Sequence, residues 1–148
     1  MRKKLLTTTL SLALAAVTML AASPKREFRS TWIAGMNIDF PYYSSSKGTT
    51  ATAIKNAKAE LTTYLDNLDK ARFTGVCFHV RALADAYYKS SYEPWASALT
   101  GTRGKDPGWD PLAFMVEECH KRGLECYAWV NPFRLSSNAT NVKQLTTE

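Results

Sequence analysis

The sequence predicts an α/β fold built on parallel strands. Three short apolar runs, 28–34, 75–81 and 124–130, alternate with two segments whose apolar residues recur every three or four positions. This order of strands and helices favours parallel pairing through right-handed crossovers. In such folds, whether the sheet is open or closed into a barrel, functional side chains gather beyond the carboxyl ends of the strands. We therefore expect the functional residues in the segments that follow the strands.

The first 22 residues have the composition of a bacterial export signal. Arg2, Lys3 and Lys4 precede an apolar stretch, 5–22, that contains no acid. Without them, the 19 Lys+Arg and 13 Asp+Glu of the chain become 16 against 13, so the net charge falls from +6 to +3. That charge is too small and too scattered for nucleic-acid binding. We expect a periplasmic or extracellular protein that contacts a membrane only if the signal is retained as an anchor.

The first strand, Phe28–Ala34, leads through a polar loop, ending at Thr52, into an amphipathic helix. The helix is predicted because one apolar stripe runs along it at helical spacing. The stripe consists of Ile54, Ala57, Leu61, Tyr64 or Leu65, Leu68 and Ala71. Gly75 then begins the second strand, Gly75–Arg81.

The second helix is marked at both ends. Asp110 can cap it with a side-chain oxygen, and Pro111 takes the first helical position, where no N–H is needed. Lys121 and Arg122 lie at the negative end of the helix dipole, just before Gly123. These signals begin the helix at Pro111 and end it before Gly123.

The third strand, Leu124–Val130, is ended by Asn131 and Pro132. A (β/α)₈ barrel needs about 250 residues, so residues 23–148 supply at most three of its eight strands. No domain-like ending follows in 135–148, and we expect the chain to be an incomplete fragment.

The segment between the second strand and the second helix, Ala82–Trp109, is much longer than the usual connection of about 4–6 residues. Loops of this length are usually functional or disordered, and its aromatic content argues against disorder. Its charged and aromatic residues are Asp85, Tyr87, Tyr88, Tyr92, Glu93, Trp95, Arg103, Lys105 and Asp106.

Alternation along the second strand puts Cys77, His79 and Arg81 on one side, opposite an apolar side that suits the helices. Arg81 can hold a carboxylate or a hydroxyl-rich ligand through its fixed fork of donors. The alternative is a structural ion pair with Asp85. His79 lies one layer deeper, where a hydrogen-bonded core histidine is favoured over a catalytic base.

Aromatic side chains near the strand ends suit a sugar ligand, since the C–H patches of a pyranose ring pack flat on them. Each one alone is more often a core residue. Their clustering near Arg81, Asp85, Asn131 and Arg134 favours two or three as sugar contacts. The available aromatics are Trp32, Tyr87, Tyr88, Trp95, Trp109 and Trp129.

Glycoside hydrolysis normally requires two carboxyl groups on either side of the scissile bond. Asp110 is better explained as a helix cap, and Glu93 as part of the loop structure. Asp85 is the best remaining acid, although the nearby Arg81 suits it poorly to be the proton donor. The catalytic pair therefore stays unknown. The acids considered are Asp39, Asp85, Glu93, Asp106 and Asp110.

The sequence contains no Ser/His/Asp set, phosphate-binding glycine loop or metal-ligand pattern, so we expect neither cofactor nor metal. Its three cysteines, Cys77, Cys119 and Cys126, fit no zinc spacing. Strand alternation places Cys77 and Cys126 on opposite faces of the sheet, too divergent for a bridge. We expect buried free thiols.

Several ordered segments between residues 27 and 137 resemble the bacterial glycosyl-hydrolase-like family ten, also called domain of unknown function 187. The resemblance implies the N-terminal part, about three β/α units, of an exported or membrane-anchored TIM (β/α)₈ barrel. The family includes enzymes that cleave peptidoglycan glycan strands. The matching segments are 28–33, 37–41, 78–81, 85–95, 99–101 and 129–134.

Two residues depart from the family pattern: His79 stands where Gln is usual, and Phe40 where Trp is common. The resemblance implies a glycoside hydrolase that acts on a cell-wall glycan such as peptidoglycan or a related polysaccharide. The alternatives are a non-catalytic carbohydrate-binding barrel and an inactive gene fragment. Combined with the aromatic argument, it predicts a substrate site of Trp32, Asp39, Arg81, Asp85, Tyr88, Trp95, Trp129, Asn131 and Arg134.

The resemblance also bears on the catalytic carboxylates. Related hydrolases carry their acid/base and nucleophile on later strands of the barrel, which this sequence does not include. We therefore expect the catalytic pair beyond Glu148, with Asp85 as the best candidate within the chain.

Overall fold

A computed structural model describes residues 27–136 of the chain. The predicted export signal, 1–22, and the final segment up to Glu148 lie outside the described residues. Within 27–136, no helix is long and apolar enough to cross a membrane. The elements are β1 (Ser30–Ile33), a 3₁₀ helix (Ser44–Ser46), α1 (Ala51–Lys70), β2 (Gly75–Arg81), α2 (Ser97–Thr100), α3 (Pro111–Lys121) and β3 (Glu125–Val130).

The three strands form one parallel sheet in the order β1-β2-β3. In register, Trp32 of β1 lies beside Cys77 of β2, which lies beside Tyr127 of β3. The register of β2 and β3 slips between His79 and Arg81. The parallel sheet with helical crossovers confirms the predicted α/β class.

The two faces of the sheet differ in chemistry. Val76 and Phe78 are fully buried on the face covered by the helices, where Leu61 of α1 and Met115 of α3 pack in the same core. The opposite face carries the second set of alternating side chains. Much of that face is open to solvent, as shown by Trp32, which is 61% exposed.

Side-chain caps set the starts of both long helices. Thr50 Oγ1 accepts a hydrogen bond from Ala53 N at 3.1 Å, so α1 begins at Ala51 and not after the predicted loop end at Thr52. Asp110 Oδ1 accepts from Ala113 N at 2.9 Å, which confirms the predicted cap. Each cap satisfies an N–H group that the first turn leaves without a partner.

The long connection 82–109 is folded onto the sheet. Ala86 N donates to Pro94 O, and Ala96 N donates to Ala86 O, both at 2.9 Å. Tyr87 is fully buried and Trp109 packs against the core, so these two aromatics serve packing and not sugar contact.

The three cysteines are free thiols, and the strands place Cys77 and Cys126 on opposite faces, as predicted. Only Cys119 is fully buried; the other two are partly exposed. Cys126 and Cys119 form a thiol hydrogen bond, which together with burial raises the pKa of Cys119.

Candidate functional site

A stacked pair of rings lies where β2 and β3 end. The His79 imidazole and the Trp129 indole are nearly parallel, at 8°, with centroids 3.7 Å apart. Trp129 Nε1 donates to Asn131 Oδ1 at 3.0 Å, and Asn131 Nδ2 lies 3.0 Å from His79 Nε2. Stacking and two hydrogen bonds therefore join the side chains of His79, Trp129 and Asn131 into one unit, which we call the stacked group.

The Trp129 indole N–H determines the protonation state of His79 through the orientation of the Asn131 amide. Because Trp129 Nε1 can only donate, the oxygen of the Asn131 amide must face it, and the NH₂ group must face His79. His79 Nε2 then acts as an acceptor, which requires the neutral ring protonated on Nδ1. Burial lowers the pKa of His79, partly opposed by the charge of Asp85, and so favours the same state. His79 is thus a hydrogen-bonded histidine, 3% exposed, as its position in the sequence favoured.

Arg81 is held by two partners on opposite sides. Its Nε donates to Glu93 Oε1 at 2.5 Å, and Nη1 donates to the carbonyl oxygen of Asn131. The alternative considered from the sequence, an ion pair between Arg81 and Asp85, is wrong, because Arg81 pairs with Glu93. Arg81 thereby ties the long connection to the end of β3.

Asp85 is buried, at 4% exposure, in the turn that follows β2. Its Oδ1 accepts hydrogen bonds from Leu83 N at 2.9 Å and Ala82 N at 3.3 Å. Ala84 has a left-handed backbone, with φ of 49°, inside this turn. Asp85 therefore supports an unusual turn directly beside the stacked rings, with one carboxylate oxygen committed to backbone N–H groups.

Trp32 provides an open aromatic surface next to this group. Its indole meets that of Trp129 edge to face, with centroids 4.8 Å apart and an angle of 89°. Trp32 also lines a groove of 210 Å³ together with Asp39, along the free side of β1. A solvent-exposed indole beside hydrogen-bonding side chains is the arrangement that suits a sugar ring.

The turn after β1 is supported from within. Asp39 Oδ2 accepts from Ala34 N at 2.8 Å, and the Tyr87 hydroxyl accepts from Met36 N at 2.7 Å. A Cβ at Gly35 would lie 2.8 Å from that hydroxyl, so only glycine fits beneath it. The Asp39 side chain thus shapes the rim of the groove by accepting from the backbone N–H of Ala34.

Three other predicted site residues, Tyr88, Trp95 and Arg134, are placed differently. Tyr88 and Trp95 are partly buried and pack against the core. Arg134 is exposed beyond β3, and its charge contributes to the lowered pKa of His79. The structure brings Trp32, Arg81, Trp129 and Asn131 together, with Asp85 in the adjoining turn.

Sequence reasoning assigned Glu93 to loop structure and so missed it as the partner of Arg81. Ser90 Oγ accepts from Glu93 N at 3.1 Å, which turns the chain back toward β2. A Ser three residues before an acid in a long loop is the available signal, although it does not indicate which cation the acid meets.

The site is equipped to bind and orient a ligand through ring faces and directed hydrogen bonds. Within residues 27–136, no group of three or more His, Cys, Asp or Glu side chains is placed to hold a metal ion. The two nearest carboxylates, Asp85 and Glu93, are both engaged by protein groups. The location of the catalytic carboxylates beyond Glu148 stays a prediction.

A parallel sheet with aromatic and polar side chains collected at its carboxyl ends is consistent with the N-terminal part of a glycosyl-hydrolase-like barrel. The chain belongs to the family described as Glycosyl hydrolase-like 10, whose profile matches residues 27–148. This confirms the resemblance found in the sequence motifs.

Named relatives carry the same description. The chain is 46% identical over 129 residues to Glycosyl hydrolase YngK of Bacillus subtilis (strain 168), covering 86% of this chain and 24% of that protein. It is 37% identical over 114 residues to Glycosyl hydrolase DigH of Escherichia coli (strain K12), covering 74% of this chain and 26% of that protein. The DigH protein of Shigella flexneri matches to the same extent. The chain thus spans about a quarter of the length of these relatives.

Proposed function

We propose that this chain forms the first three strands of an exported glycoside hydrolase that acts on a cell-wall glycan, such as peptidoglycan or a related polysaccharide. The observation that carries the proposal is the open Trp32 indole, set edge to face on Trp129 at the carboxyl ends of the strands. Membership of a glycosyl-hydrolase-like family supports the reaction class.

The stacked group would position a sugar and leave bond cleavage to other residues. Trp32 supplies a ring face, while Asn131 and Arg81 border it with polar atoms that are held in place. Neither nearby carboxylate is suited to proton transfer, because Glu93 is paired with Arg81 and Asp85 holds a turn. In this proposal the two catalytic carboxyl groups come from later strands of the barrel.

The test is Trp32→Ala in the protein produced from its complete reading frame. Covering about 50–100 Å² of ring at ~25 cal/mol per Å² is worth ~1–2.5 kcal/mol of binding. Titration with soluble glycan fragments should therefore show a roughly 5- to 70-fold weaker affinity. Tyr92→Ala is the matched control, because Tyr92 is 96% exposed on the long connection and lies outside the stacked group.

Unchanged affinity of Trp32→Ala, with the fold intact by circular dichroism, would remove the sugar platform from the proposal. Equal losses in Trp32→Ala and Tyr92→Ala would also count against it, since they would point to general surface adhesion.

A non-catalytic glycan-binding barrel is the second candidate. It is favoured by the commitment of Asp85 and Glu93 to protein partners. Reducing ends released from a purified glycan by the complete protein would exclude it, whereas tight binding without release would support it.

A further inference from the structure

A cavity of 370 Å³ lies away from the stacked rings, between the connection after β1 and the helix α1. We call it the α1 cavity. Its wall combines two phenol rings with hydroxyl, amide and carboxyl groups, supplied chiefly by Tyr43, Ser45, Asn56, Glu60, Thr63 and Tyr64.

Most polar groups of this wall already have protein partners. Asn56 Nδ2 donates to Ser45 O at 3.1 Å, which ties the 3₁₀ segment to α1. The Tyr64 hydroxyl donates to Asp39 O at 2.8 Å, and the Thr63 hydroxyl donates within its own helix. These bonds fix the positions of the Asn56, Thr63 and Tyr64 side chains.

Glu60 is the exception. Its residue is only 7% exposed, and its Oε1 accepts from Tyr42 N at 2.7 Å. Among the described residues, its Oε2 is buried without a hydrogen-bond partner. A buried carboxylate oxygen left without a donor is costly, and a carboxylate can only accept. A donor, best a charged one, would remove that cost.

Glu60 is the one formally charged residue among the described residues that line the cavity. None of the described residues that line it carries a positive charge. Burial, together with the charges of Glu60 and Asp39, raises the pKa of Tyr64. A cation is therefore favoured here over a neutral or anionic molecule.

We propose that the α1 cavity binds a small hydroxylated primary amine, the chemistry of an amino sugar with a free amino group, whose ammonium donates to Glu60 Oε2. The volume lies within the range of small-molecule sites, about 300–1,000 Å³. The exposed ring of Tyr43 offers a face for the carbon skeleton, and the hydroxyl-bearing wall suits the remaining groups. The cavity is separate from the stacked rings, so this binding does not depend on the proposed hydrolysis.

The experiment compares glucosamine with glucose, which lacks the ammonium, by calorimetric titration of the protein from its complete reading frame. At neutral pH a primary amine is largely charged. We expect glucosamine to bind at least about tenfold more tightly than glucose, a factor that corresponds to ~1.4 kcal/mol. Glu60→Gln should abolish this difference, because the amide oxygen still accepts from Tyr42 N while the charge is lost.

Glu117→Gln is the matched control, because Glu117 lies exposed on α3 and pairs with Lys121; it should keep the preference for glucosamine. Tyr43→Ala, at an exposed position, should weaken both sugars and provides a second variant if Glu60→Gln does not fold. Equal affinity for the two sugars, binding of neither, or a preference that survives Glu60→Gln would each overturn the proposal. Preference retained at full strength in Tyr43→Ala, with glucose affinity unchanged, would place the ligand elsewhere and overturn it as well.

Discussion

The ion pair between Arg81 and Glu93 can be tested by a double-mutant cycle with Arg81→Met and Glu93→Gln. The pair joins the end of β2 to the long connection, with Nε and Oε1 at 2.5 Å and side chains only 16% and 20% exposed. Arg81 also donates to the carbonyl oxygen of Asn131. Glu93→Gln removes the charge without changing the size of the side chain, and Arg81→Met removes the guanidinium while keeping an unbranched apolar stem.

The expected magnitude follows from the low exposure of the pair. Hydrogen bonds to charged groups are worth about 1.5–3 kcal/mol, and Arg81→Met removes two of them. We therefore expect Arg81→Met to lower the free energy of unfolding by ~3–6 kcal/mol, and Glu93→Gln, which removes one charge and keeps an acceptor oxygen, by at most ~1.5–3 kcal/mol. The double variant should lose less than the sum, giving a coupling energy of ~1–3 kcal/mol.

The assay is urea unfolding of the four proteins, each produced from the complete reading frame. The control cycle uses Lys121→Met and Glu117→Gln, because that pair is 54% and 65% exposed on the surface of α3. Exposed helical pairs couple by about 0.3–0.5 kcal/mol. A coupling for Arg81 and Glu93 no larger than that of the control pair would refute the structural role and leave Arg81 to the ligand.

The remaining predictions concern pH, export and folding. Because burial lowers the pKa of His79 below its unfolded value of about 6.5, the stability that His79 confers is full above that pH and falls as the pH drops through it. In urea titrations at several pH values, His79→Gln should flatten this loss of stability, whereas the control His120→Gln, at an exposed position, should not. An identical pH profile in all three proteins would disprove the prediction. A reporter fused after residue 30 should reach the periplasm or medium. Replacing Leu12 and Leu14 with arginine should stop this export, because each charge costs about 2.5–3.5 kcal/mol in an apolar segment. Export that persists in this variant would contradict the predicted export signal. Residues 23–148 alone should aggregate or pack loosely and release no reducing sugar, whereas a sharp thermal transition from a soluble monomer would show a self-sufficient unit.

The elements with strong local signals were predictable from the sequence. The strand Gly75–Arg81 is confirmed residue by residue, because a glycine opens it and a cation ends its apolar run. The helix Pro111–Lys121 is confirmed because its capping aspartate and first-turn proline act locally. The first strand is shorter than predicted, Ser30–Ile33, since Ala34 already belongs to the following turn, where its carbonyl oxygen accepts from Asp39 N and Phe40 N.

The partners within the site were less predictable, because they depend on how a long loop returns to the sheet. Glu93 reaches Arg81 across 12 residues, and no periodic pattern marks that closure. The Asn131 amide joins Trp129 to His79 only after β2 and β3 are paired in register. Strand alternation therefore predicts which side chains share a face, while tertiary pairing decides which of them bond.

The division between satisfied polar groups and open ring faces indicates how the site would select a ligand. Hydrogen bonds join Arg81 to Glu93 and to Asn131, and Asn131 to His79. The geometry of these side chains is therefore fixed before any ligand binds. Trp32 instead leaves most of its indole in contact with water on the same face. A ligand would therefore gain affinity mainly by covering that ring, and orientation from the fixed rim around it. In the proposed hydrolase the carboxyl pair would come from strands beyond the free edges of β1 and β3, because Asp85 and Glu93 are already bonded to protein groups.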